Sequence, residues 1–450
     1  MNPDGSKKLK ARLVARGFEE KLMNKKVDSP TCSRQGLRLA FVTASSMNWE
    51  LKAMDISSAF LQGNILKRTV YVRPPSDICE DGKIWCLRHC LYGLSDAPRE
   101  WYDRVCEEMK KLGGTISRYD KCLFMWHEDN QLVGLIATHV EDFEYCGNLA
   151  WQENVIDRLI KMFKISKNEK GSFKYIGLNI EQNGSEIYVD QQEYCRGLVE
   201  IKVDSGKNKD DPLTDGEKKE LRSVCGQLLW ATTQTRPDAA FDACHVSNYG
   251  NEATVKSFTE ANKAVRKVKT DYLKIVYPCH GNPNLMRIIV YADGSHASLP
   301  SVASQGANMV FITGNSRSAP ITWRSKKLDR VTKSPLATEV SAVVDAADHG
   351  HLVASMVQEL YSLDKLPIIE LYTDSKSLKD HLETTRVITD PRLRVDIARL
   401  REMRELGEFD VKWVPSELQL ADCMTKRGAS TDLLCQVMAS GALPGHHRNM

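Results

Sequence analysis

The sequence predicts a multidomain protein that combines the α/β and α+β fold classes, and three observations support this. The chain has 450 residues, enough for roughly two to four domains with buried cores. Its first half alternates helical periods with β-hairpin patterns, whereas the part after residue 285 has the pattern of a mixed sheet with helices packed on it. Each half also carries its own set of acidic residues near the ends of predicted elements.

Composition and charge are those of an ordinary globular protein. Hydrophobic residues make up 42% and charged residues 27%, and 62 basic against 59 acidic residues give a net charge of +3. A nucleic-acid partner must therefore be held by local basic patches. The sequence has no apolar run near about 18 residues and no apolar signal-peptide core, so we expect neither a membrane span nor secretion. The 13 scattered cysteines favour free thiols in a reducing compartment.

The elements of the first half follow from their patterns. Residues 9–18 mix β-formers with basic residues and predict an extended basic strand. A helix over 33–47 places Leu37, Phe41 and Ala44 on one face. The remaining predicted elements are a strand at 49–55, a helix at 98–112, hairpin strands at 131–138 and 143–146, a helix at 151–163 and a hairpin near 173–189.

The second half begins beyond a loop-rich linker. Residues 203–220 are rich in Lys, Asp and Gly and predict a mobile loop, and a helical stretch follows to about 274. Residues 277–285 hold two prolines, one glycine and two asparagines and mark the best domain boundary. Beyond it, strands are predicted at 286–292, 306–313, 319–325, 367–373 and 409–414, and helices at 337–360, 375–384, 392–406 and 417–426.

The first acidic set consists of Asp55, Glu141 and Asp142. Asp55 ends a predicted strand, and Glu141 and Asp142 occupy a predicted hairpin turn. Adjacent strands would bring these carboxylates to one rim, where they could hold two Mg²⁺ ions about 3.5–4 Å apart for phosphoryl transfer. Two other interpretations stay open: an aspartate after a strand is often a turn former, and acids in a hairpin turn are often solvated.

Five motifs occur in order along the first half, at suitable spacing. They are Lys-Ala-Arg-Leu-Val-Ala-Arg-Gly-Phe (10–18), Met-Asp-Ile-Ser-Ser-Ala-Phe-Leu-Gln-Gly (54–63), Leu-Tyr-Gly-Leu-Ser-Asp-Ala-Pro-Arg-Glu-Trp-Tyr (91–102), His-Val-Glu-Asp (139–142) and Phe-Lys-Tyr-Ile-Gly-Leu-Asn-Ile (173–180). Over about residues 7–250, the chain closely resembles the reverse transcriptase of copia-like LTR retrotransposons. The resemblance implies a right-hand polymerase with fingers, palm and thumb. Asp55 then matches the first palm aspartate, and Phe60 matches the bulky residue under the sugar that excludes a 2′-hydroxyl. Residues 173–189 look like the hairpin that grips the primer strand.

The basic residues Lys10, Arg12 and Arg16 fall on alternating positions of the predicted fingers strand. One face of that strand could contact template phosphate or bind the nucleotide triphosphate, and a solvated strand face is the equally open alternative.

Two departures from the family pattern bear on the polymerase site. The family usually has Asp-Asp in the hairpin turn, where this chain has Glu141-Asp142. The additional methylene moves the carboxylate out by roughly 1 Å, and a shift of that order lowers the rate of a geometry-sensitive step. The family's domain also starts upstream with further fingers strands, so we expect weaker template binding from a chain that begins near the basic strand.

The second acidic set consists of Asp293, Glu339, Asp374 and Asp422. Asp293 and Asp374 end predicted strands, and Glu339 shares an apolar helix stripe, where a carboxylate is costly unless it is paired or bound to a metal. Asp374 could instead cap the helix that starts at Ser375, and Asp422 could be a surface charge on the last helix.

The motifs around these four acids resemble those of the ribonuclease H of the same elements, over about residues 285–428. They are Tyr-Ala-Asp-Gly, Ser-Pro-Leu-Ala-Thr-Glu, Tyr-Thr-Asp-Ser and Trp-Val-Pro-Ser-Glu-Leu-Gln-Leu-Ala-Asp-Cys-Met-Thr-Lys. The resemblance implies two-metal hydrolysis of the RNA strand of an RNA–DNA hybrid, distinguished by its 2′-hydroxyls. The basic run just before the Glu339 helix is expected to contact nucleic-acid phosphates, with a solvated face as the alternative. It comprises Lys326, Lys327, Arg330 and Lys333.

These inferences together define the expected protein. It is a reverse transcriptase (1–202), a thumb or connection helical region (203–284), a ribonuclease H-like domain (285–428) and a tail (429–450). It uses two Mg²⁺ or Mn²⁺ ions per active site. Its partners are an RNA template, a DNA primer, the RNA–DNA hybrid and deoxynucleoside triphosphates, and it acts in the cytoplasm, within virus-like particles, or in the nucleus. The rival hypotheses are a polymerase-defective relic that binds nucleic acid and a nuclease-only enzyme.

Overall fold

The structure is a computed structural model that divides into two compact units. It describes residues 11–20, 27–75, 77–78, 82–299, 301–384, 388 and 390–445. Unit 1 comprises residues 1–33 and 52–169, and unit 2 comprises residues 34–51 and 170–450. Among the described residues, none of the helices combines the length and apolar character that a bilayer crossing needs.

Twelve α-helices are numbered in chain order within the described part of the chain. They are α1 Arg34–Ser46, α2 Ala97–Lys111, α3 Leu149–Trp151, α4 Asp157–Met162, α5 Gln192–Gly197, α6 Asp215–Gln234, α7 Ala240–Ser247, α8 Val255–Thr270, α9 Pro335–Tyr361, α10 Lys376–Glu383, α11 Pro391–Glu405 and α12 Asp432–Ser440. A π-helical turn over Gln152–Ile156 joins α3 to α4. At α6, Thr214 and Glu217 form a reciprocal capping box, which satisfies amide groups that the first helical turn leaves free.

Seventeen strands are numbered in the same way. They are β1 Lys52–Ile56, β2 Tyr71–Val72, β3 Trp85–Cys86, β4 Thr115–Ile116, β5 Leu123–Glu128, β6 Gln131–His139, β7 Asp142–Gly147, β8 Ile165–Lys170, β9 Ser172–Tyr175, β10 Leu178–Asn183, β11 Glu186–Asp190, β12 Ile275–Tyr277, β13 Arg287–Ser295, β14 Gln305–Gly314, β15 Arg317–Lys327, β16 Ile369–Thr373 and β17 Phe409–Trp413.

Unit 1 is built on a six-stranded sheet in the order β4-β5-β6-β7-β1-β8. β6 and β7 form a hairpin, and β1 pairs antiparallel with β7. Side chains from the sheet and from α2 form one apolar core, which includes Met54, Trp101, Phe124, Phe143 and Trp151. Because alternate residues of β7 point to opposite faces, Phe143 and Tyr145 enter this core while Asp142 and Glu144 lie on the other face.

Unit 2 contains a four-stranded antiparallel sheet, a helical layer and a five-stranded mixed sheet. The smaller sheet has the order β12-β11-β10-β9, and α5 to α8 share a separate apolar core. The larger sheet has the order β15-β14-β13-β16-β17. Its first three strands are antiparallel, whereas β16 and β17 run parallel to β13. The carboxyl ends of β13, β16 and β17 therefore share one edge.

The predicted combination of α/β and α+β architecture is confirmed, and all five strands predicted beyond residue 285 are present. The predicted boundaries at 202/203, 284/285 and 428/429 stay predictions, because the compact units divide the chain at 33/34, 51/52 and 169/170. The segment predicted as a tail contains α12, which buries Leu434, Val437 and Met438. Residues 446–450 lie outside the described residues.

Two predicted elements are wrong, and the loop predicted over 203–220 ends early because α6 begins at Asp215. Residues 11–16 of the expected basic strand have no strand pairing; Ala15 donates one backbone bond to Tyr92 O at 2.7 Å, and a 3₁₀ turn follows at Gly17–Glu19. The helix expected at 417–426 is replaced by two 3₁₀ turns, Ser416–Leu418 and Asp422–Met424. Gln419 lies between the two turns, and its side chain donates to strand carbonyl oxygens.

Glu144 has an unusual environment for a carboxyl group. It is fully buried on β7, opposite Ala53 of β1 and Ala137 of β6. Neither of its carboxyl oxygens has a hydrogen-bond partner among the described residues. Burial raises the pKa of Glu144 well above its usual range, because it disfavours the charged form of the carboxyl group.

We therefore expect Glu144→Leu to stabilise the protein. An unpartnered buried polar group lowers the free energy of unfolding by about 1–3 kcal/mol, and a leucine of similar size removes this penalty. Because the pKa of Glu144 is higher in the folded chain than in the unfolded chain, folding takes up a proton. The stability of the protein therefore falls as pH rises from the pKa of Glu144 in the unfolded chain towards its pKa in the folded chain. Urea unfolding at several pH values should show a higher midpoint for Glu144→Leu at neutral pH.

Glu144→Gln is the paired control, since it removes the titration but keeps a buried polar group. It should lose the pH dependence without gaining the full stability of the leucine variant. A leucine variant less stable than wild type at neutral pH would mean that the carboxyl group has a stabilising partner.

Candidate metal-binding active sites

The first candidate site lies where β1 meets the β6–β7 hairpin. Asp55 is paired directly with Asp142 across the antiparallel ladder, and Ile56 N donates to Glu141 O at 2.9 Å. Opposed residues in such a ladder have Cα atoms about 4.5–5.5 Å apart. Backbone pairing therefore brings together the three acids that the sequence predicted.

The hairpin loop has two residues, Val140 and Glu141, and its backbone is strained. Val140 has φ +58, a conformation that is rare for a β-branched residue. The indole Nε1 of buried Trp101 donates to Val140 O at 2.7 Å and helps to hold this turn. Such strain costs on the order of 1–3 kcal/mol and persists only where surrounding contacts impose it.

Tyr92 connects the predicted residues of this site, although the sequence analysis did not single it out. Its hydroxyl donates to Glu141 Oε2 at 3.3 Å, and its ring centre lies 4.7 Å from that of Phe60. The guanidinium carbon of Arg12 lies 4.5 Å from the same ring centre. Burial and the charge of Glu141 raise the pKa of Tyr92, so the phenol stays a hydrogen-bond donor.

The carboxylates of the first site are close enough to interact but do not form a compact cluster. Burial, together with the charges of Asp55 and Glu141, raises the pKa of Asp142. Asp55 Oδ2 accepts a hydrogen bond from Ser166 Oγ, and Glu141 is held by Tyr92. Among the described residues, only the acids of unit 2 bring three ligand oxygens within 4.8 Å of one another.

Arg16 and Lys10 are the other two basic residues predicted for the nucleotide site. Arg16 is exposed and pairs with Glu19 at 3.1 Å. Lys10 lies outside the described residues. Their predicted contact with the nucleotide stays a prediction.

The second candidate site lies at the carboxyl edge of the larger sheet of unit 2. Asp293 lies near the carboxyl end of β13 and is 1% exposed, and Asp374 directly follows β16. Asp422 begins a 3₁₀ turn. One carboxylate oxygen from each of these residues lies within 4.8 Å of the others. The structure therefore brings together three of the four acids that were predicted.

Glu339, the fourth predicted acid, reaches this edge from the first turns of α9. The helix approaches β13 closely, because a Cβ on Gly294 would lie 2.9 Å from Thr338 O. The Glu339 carboxyl accepts a hydrogen bond from the Gly294 backbone, and its Oε2 atom is buried without a hydrogen-bond partner among the described residues. A partly buried acid with a free oxygen at this position is suited to bind a cation.

Asp374 is not the helix cap, which was the alternative interpretation of this residue. Ser375 is the N-cap of α10, where its Oγ accepts a hydrogen bond from Leu378 N at 3.3 Å. Asp374 Oδ2 instead accepts from Ser416 Oγ at 2.6 Å, and its backbone oxygen accepts from Trp413 Nε1 at 3.0 Å. These contacts orient the carboxylate toward the shared edge.

The segment around Asp422 is held by a residue that the sequence analysis missed. Gln419 is buried, and its Nε2 donates to Ala292 O at 3.0 Å and to Tyr372 O at 3.4 Å. Because those carbonyls precede Asp293 and Asp374 on two parallel strands, Gln419 fixes the segment against both strand ends. Glutamine in a presumed helix gives no sequence signal for such a role.

Burial has the largest effect on the carboxyl pKa values of the second site, and repulsion between neighbouring acids adds to it. Burial and the nearby acids raise the pKa of Asp293, despite the opposing effects of Lys426 and of the Thr425 hydroxyl. Burial, Asp293 and Asp374 raise the pKa of Glu339 more strongly. Lys426 forms an ion pair with Asp422; burial alone would lower its pKa, but the surrounding carboxylates raise it. Thr425 Oγ1 donates to Asp293 Oδ2.

The residues of the second site fit a divalent metal. Oxygen-only donor sets suit hard cations such as Mg²⁺ and Mn²⁺, and the three clustered carboxylates with Glu339 supply such a set. The raised carboxyl pKa values indicate that these groups repel one another in the absence of a cation.

Two residues of the predicted basic run pair with acids, and the other two are exposed. Lys326 pairs with Asp345 at 2.7 Å and with Asp329 at 3.0 Å, so its charge is compensated. Arg330 pairs with Asp396 at 3.4 Å. Lys327 and Lys333 are exposed. Phosphate contact by this run stays a prediction, and the exposed pair is better placed for it.

The raised carboxyl pKa values predict that metal binding depends on pH. A cation binds ionised carboxylates, so binding must release the protons that Asp293 and Glu339 retain. The apparent affinity for Mn²⁺ should rise from about pH 6 to about pH 8, where carboxyl groups of ordinary pKa are already ionised. Glu339→Gln should flatten this rise. Calorimetry in buffers of different ionisation enthalpy measures affinity and proton release together.

Asp380→Asn is the control for this experiment, because Asp380 is an exposed acid on α10 outside the cluster. It should leave the pH dependence unchanged. A wild-type affinity that does not vary over this pH range would contradict the raised pKa values.

Comparison with known proteins agrees with the reverse transcriptase resemblance. Residues 2–210 match the family model described as reverse transcriptase (RNA-dependent DNA polymerase). The chain is 24% identical over 457 residues to the retrovirus-related Pol polyprotein from transposon RE1 of Arabidopsis thaliana, covering 94% of this chain and 30% of that protein. It is 25% identical over 464 residues to the corresponding polyprotein from transposon TNT 1-94 of Nicotiana tabacum, covering 95% and 34%.

A solved foamy viral protease-reverse transcriptase in complex with double-stranded DNA aligns with a TM-score of 0.49 and 13% identity, over 81% of this chain and 56% of that chain. This likeness is too distant to bear on function. The chain spans about a third of the length of the two polyproteins, at 30% and 34%. The chain is thus similar to retrovirus-related Pol polyproteins of transposons, and its residues 2–210 match the reverse transcriptase family model.

Proposed function

We propose that this chain is an RNA-directed DNA polymerase with ribonuclease H activity, both by two-metal phosphoryl transfer. The observation that carries the proposal is the cluster of Asp293, Asp374 and Asp422, whose oxygens lie within 4.8 Å of one another. The pairing of Asp55 with Asp142, in the region that matches the reverse transcriptase family, supports the polymerase half.

In the nuclease site, each carboxylate has an orienting partner. Divalent cations held there would supply the Lewis acidity that phosphodiester hydrolysis needs. Ser416 orients Asp374, and Thr425 orients Asp293. Such supporting hydrogen bonds fix the direction of metal ligands and tune their basicity. The proposed substrate is the RNA strand of an RNA–DNA hybrid.

In the polymerase site, Asp55 and Asp142 would hold the cations, and Phe60 would lie under the sugar of the incoming nucleotide. Tyr92 packs against Phe60 and so limits the space beneath that sugar. Arg12, whose guanidinium carbon lies 4.5 Å from the Tyr92 ring centre, is available to the triphosphate. RNA template, DNA primer and deoxynucleoside triphosphates are the proposed partners, and the cytoplasm, virus-like particles or the nucleus are the proposed locations.

A nuclease-only enzyme is the second candidate, and the contrast between the two sites favours it. The unit 2 acids form a compact set, whereas the unit 1 acids do not, and Glu141 is bonded to Tyr92. On this alternative the polymerase region would still bind nucleic acid. The two activities must therefore be tested separately.

Asp374→Asn tests the nuclease. Loss of one ligand charge removes several kcal/mol of transition-state stabilisation, so hybrid cleavage with Mg²⁺ should fall by about 100-fold or more. The measurement is cleavage of a labelled RNA strand within a hybrid. Asp380→Asn, the exposed acid on the same edge helix α10, should cleave like wild type. Equal rates for Asp374→Asn and wild type would exclude this site as the nuclease centre.

Glu141→Asp tests the polymerase geometry. The shorter side chain should draw the carboxylate back toward Asp55 and Asp142, and primer extension on an RNA template should rise by about 10-fold to 100-fold. Glu128→Asp is the matched control, since Glu128 is an exposed glutamate at the end of β5, beside the neighbouring hairpin turn. Extension that is unchanged or lower in Glu141→Asp would show that the additional methylene is not what limits this site.

A further inference from the structure

Lys376 and Trp413 lie beside Asp374 at the carboxyl edge of the larger sheet. β16 and β17 are parallel, with Thr373 paired to Trp413, so Asp374 and Trp413 leave the sheet at the same edge. Trp413 Nε1 donates to the backbone oxygen of Asp374 at 3.0 Å. This bond fixes the indole relative to a proposed metal ligand, yet the Trp413 residue keeps 37% of its surface exposed.

Lys376 is held over this indole. Its Nζ atom lies 4.7 Å from the centre of the Trp413 ring, a cation–π arrangement that contributes about 0.5–1 kcal/mol at exposed sites. Lys376 is exposed, and no carboxylate among the described residues pairs with it. Lys326 and Lys426, which are also near this edge, are both paired with acids. Lys376 thus offers a charge that is not already compensated.

Lys376 occupies a position in α10 where a positive charge destabilises the helix. It is the first residue after the Ser375 N-cap, where the helix dipole disfavours a positive charge by typically about 0.3–1 kcal/mol. Helix stability therefore does not account for a lysine here. A negative group bound beside the helix start would balance both the lysine and the dipole.

We propose that Lys376 and Trp413 form a contact site for the sugar–phosphate backbone of the strand that enters the carboxylate cluster. The ammonium group binds a phosphate next to the scissile one, and the indole packs against the adjoining sugar. The site rests on the proposed nuclease function. It offsets the repulsion between the phosphodiester and four acidic residues, and it reads no base, because phosphate contacts position a strand without specifying sequence.

Lys376→Gln tests this site by hybrid binding rather than by cleavage. Fluorescence anisotropy of a labelled RNA–DNA hybrid, with Ca²⁺ replacing Mg²⁺, is measured over a series of salt concentrations. Loss of one phosphate contact should weaken binding several-fold and reduce the slope of log affinity against log salt by about one unit. Lys379→Gln is the control, because Lys379 lies on the same helix but pairs with Glu383 at 3.7 Å.

The cleavage assay then gives a second measure. Lys376→Gln should raise KM and change kcat little, because the contact is made equally in the bound and transition states. Trp413→Phe keeps an aromatic ring but loses the donor to Asp374, so it should lower kcat as well. Combining Lys376→Gln with Trp413→Ala should give less than the sum of the two effects on binding, since the aromatic ring that alanine removes holds the lysine.

The outcomes separate this inference from the nuclease proposal. Lys376→Gln with the affinity and salt slope of wild type overturns the contact site, whether or not the protein cleaves hybrid. A chain that binds hybrid through Lys376 but does not cleave it supports the contact site and rejects the nuclease. A wild-type chain that binds no hybrid rejects both.

Discussion

The burial of carboxylates held close together at strand ends, with the repulsion between them, is the constraint on which both candidate sites depend. In unit 2, Asp293 is buried, and its position is set by β13 rather than by any attraction to the other acids. Gly294 lets α9 approach so closely that Glu339 is brought to the same edge. The backbone therefore imposes an arrangement that the side chains alone would not adopt, and a cation would relieve it.

The two sites meet this constraint in different ways. Three parallel strand ends and a crossing helix converge on the unit 2 cluster, and each acid comes from a separate element. In unit 1 the acids come from two antiparallel neighbours and a two-residue loop, so their spacing follows from a single register. That register fixes Asp55 against Asp142, whereas Glu141 depends on a strained Val140 and on the Tyr92 hydroxyl. The glutamate side chain at position 141 is long enough to accept a hydrogen bond from the Tyr92 hydroxyl. The three acids of unit 1 do not form a compact cluster.

The sequence could predict the elements and the acids because both follow local rules. Apolar periods identified the five strands after residue 285, and acids directly after apolar strands pointed to Asp293 and Asp374. The orienting residues were not predictable in this way. Ser416, Thr425 and Gln419 are ordinary polar residues in sequence, and their roles arise only when distant segments meet. The compensation of Lys326 by Asp345 is likewise a tertiary contact.

Burial of an acid does not by itself identify a functional site, as three glutamates of this chain demonstrate. Glu370 is 1% exposed in the larger sheet, but it pairs with Arg287 and Lys412 and accepts a bond from the Tyr372 hydroxyl, so it is a structural ion cluster. Glu144 is buried with no hydrogen-bond partner in the described part of the chain, but two alanines lie opposite it. Glu339 has a buried oxygen that no described residue bonds, and it also has acidic neighbours at the sheet edge. A buried carboxyl oxygen that no described residue bonds, set among other carboxylates, is the combination that a divalent cation would satisfy. A single lysine cannot pair with all of these carboxylates at once.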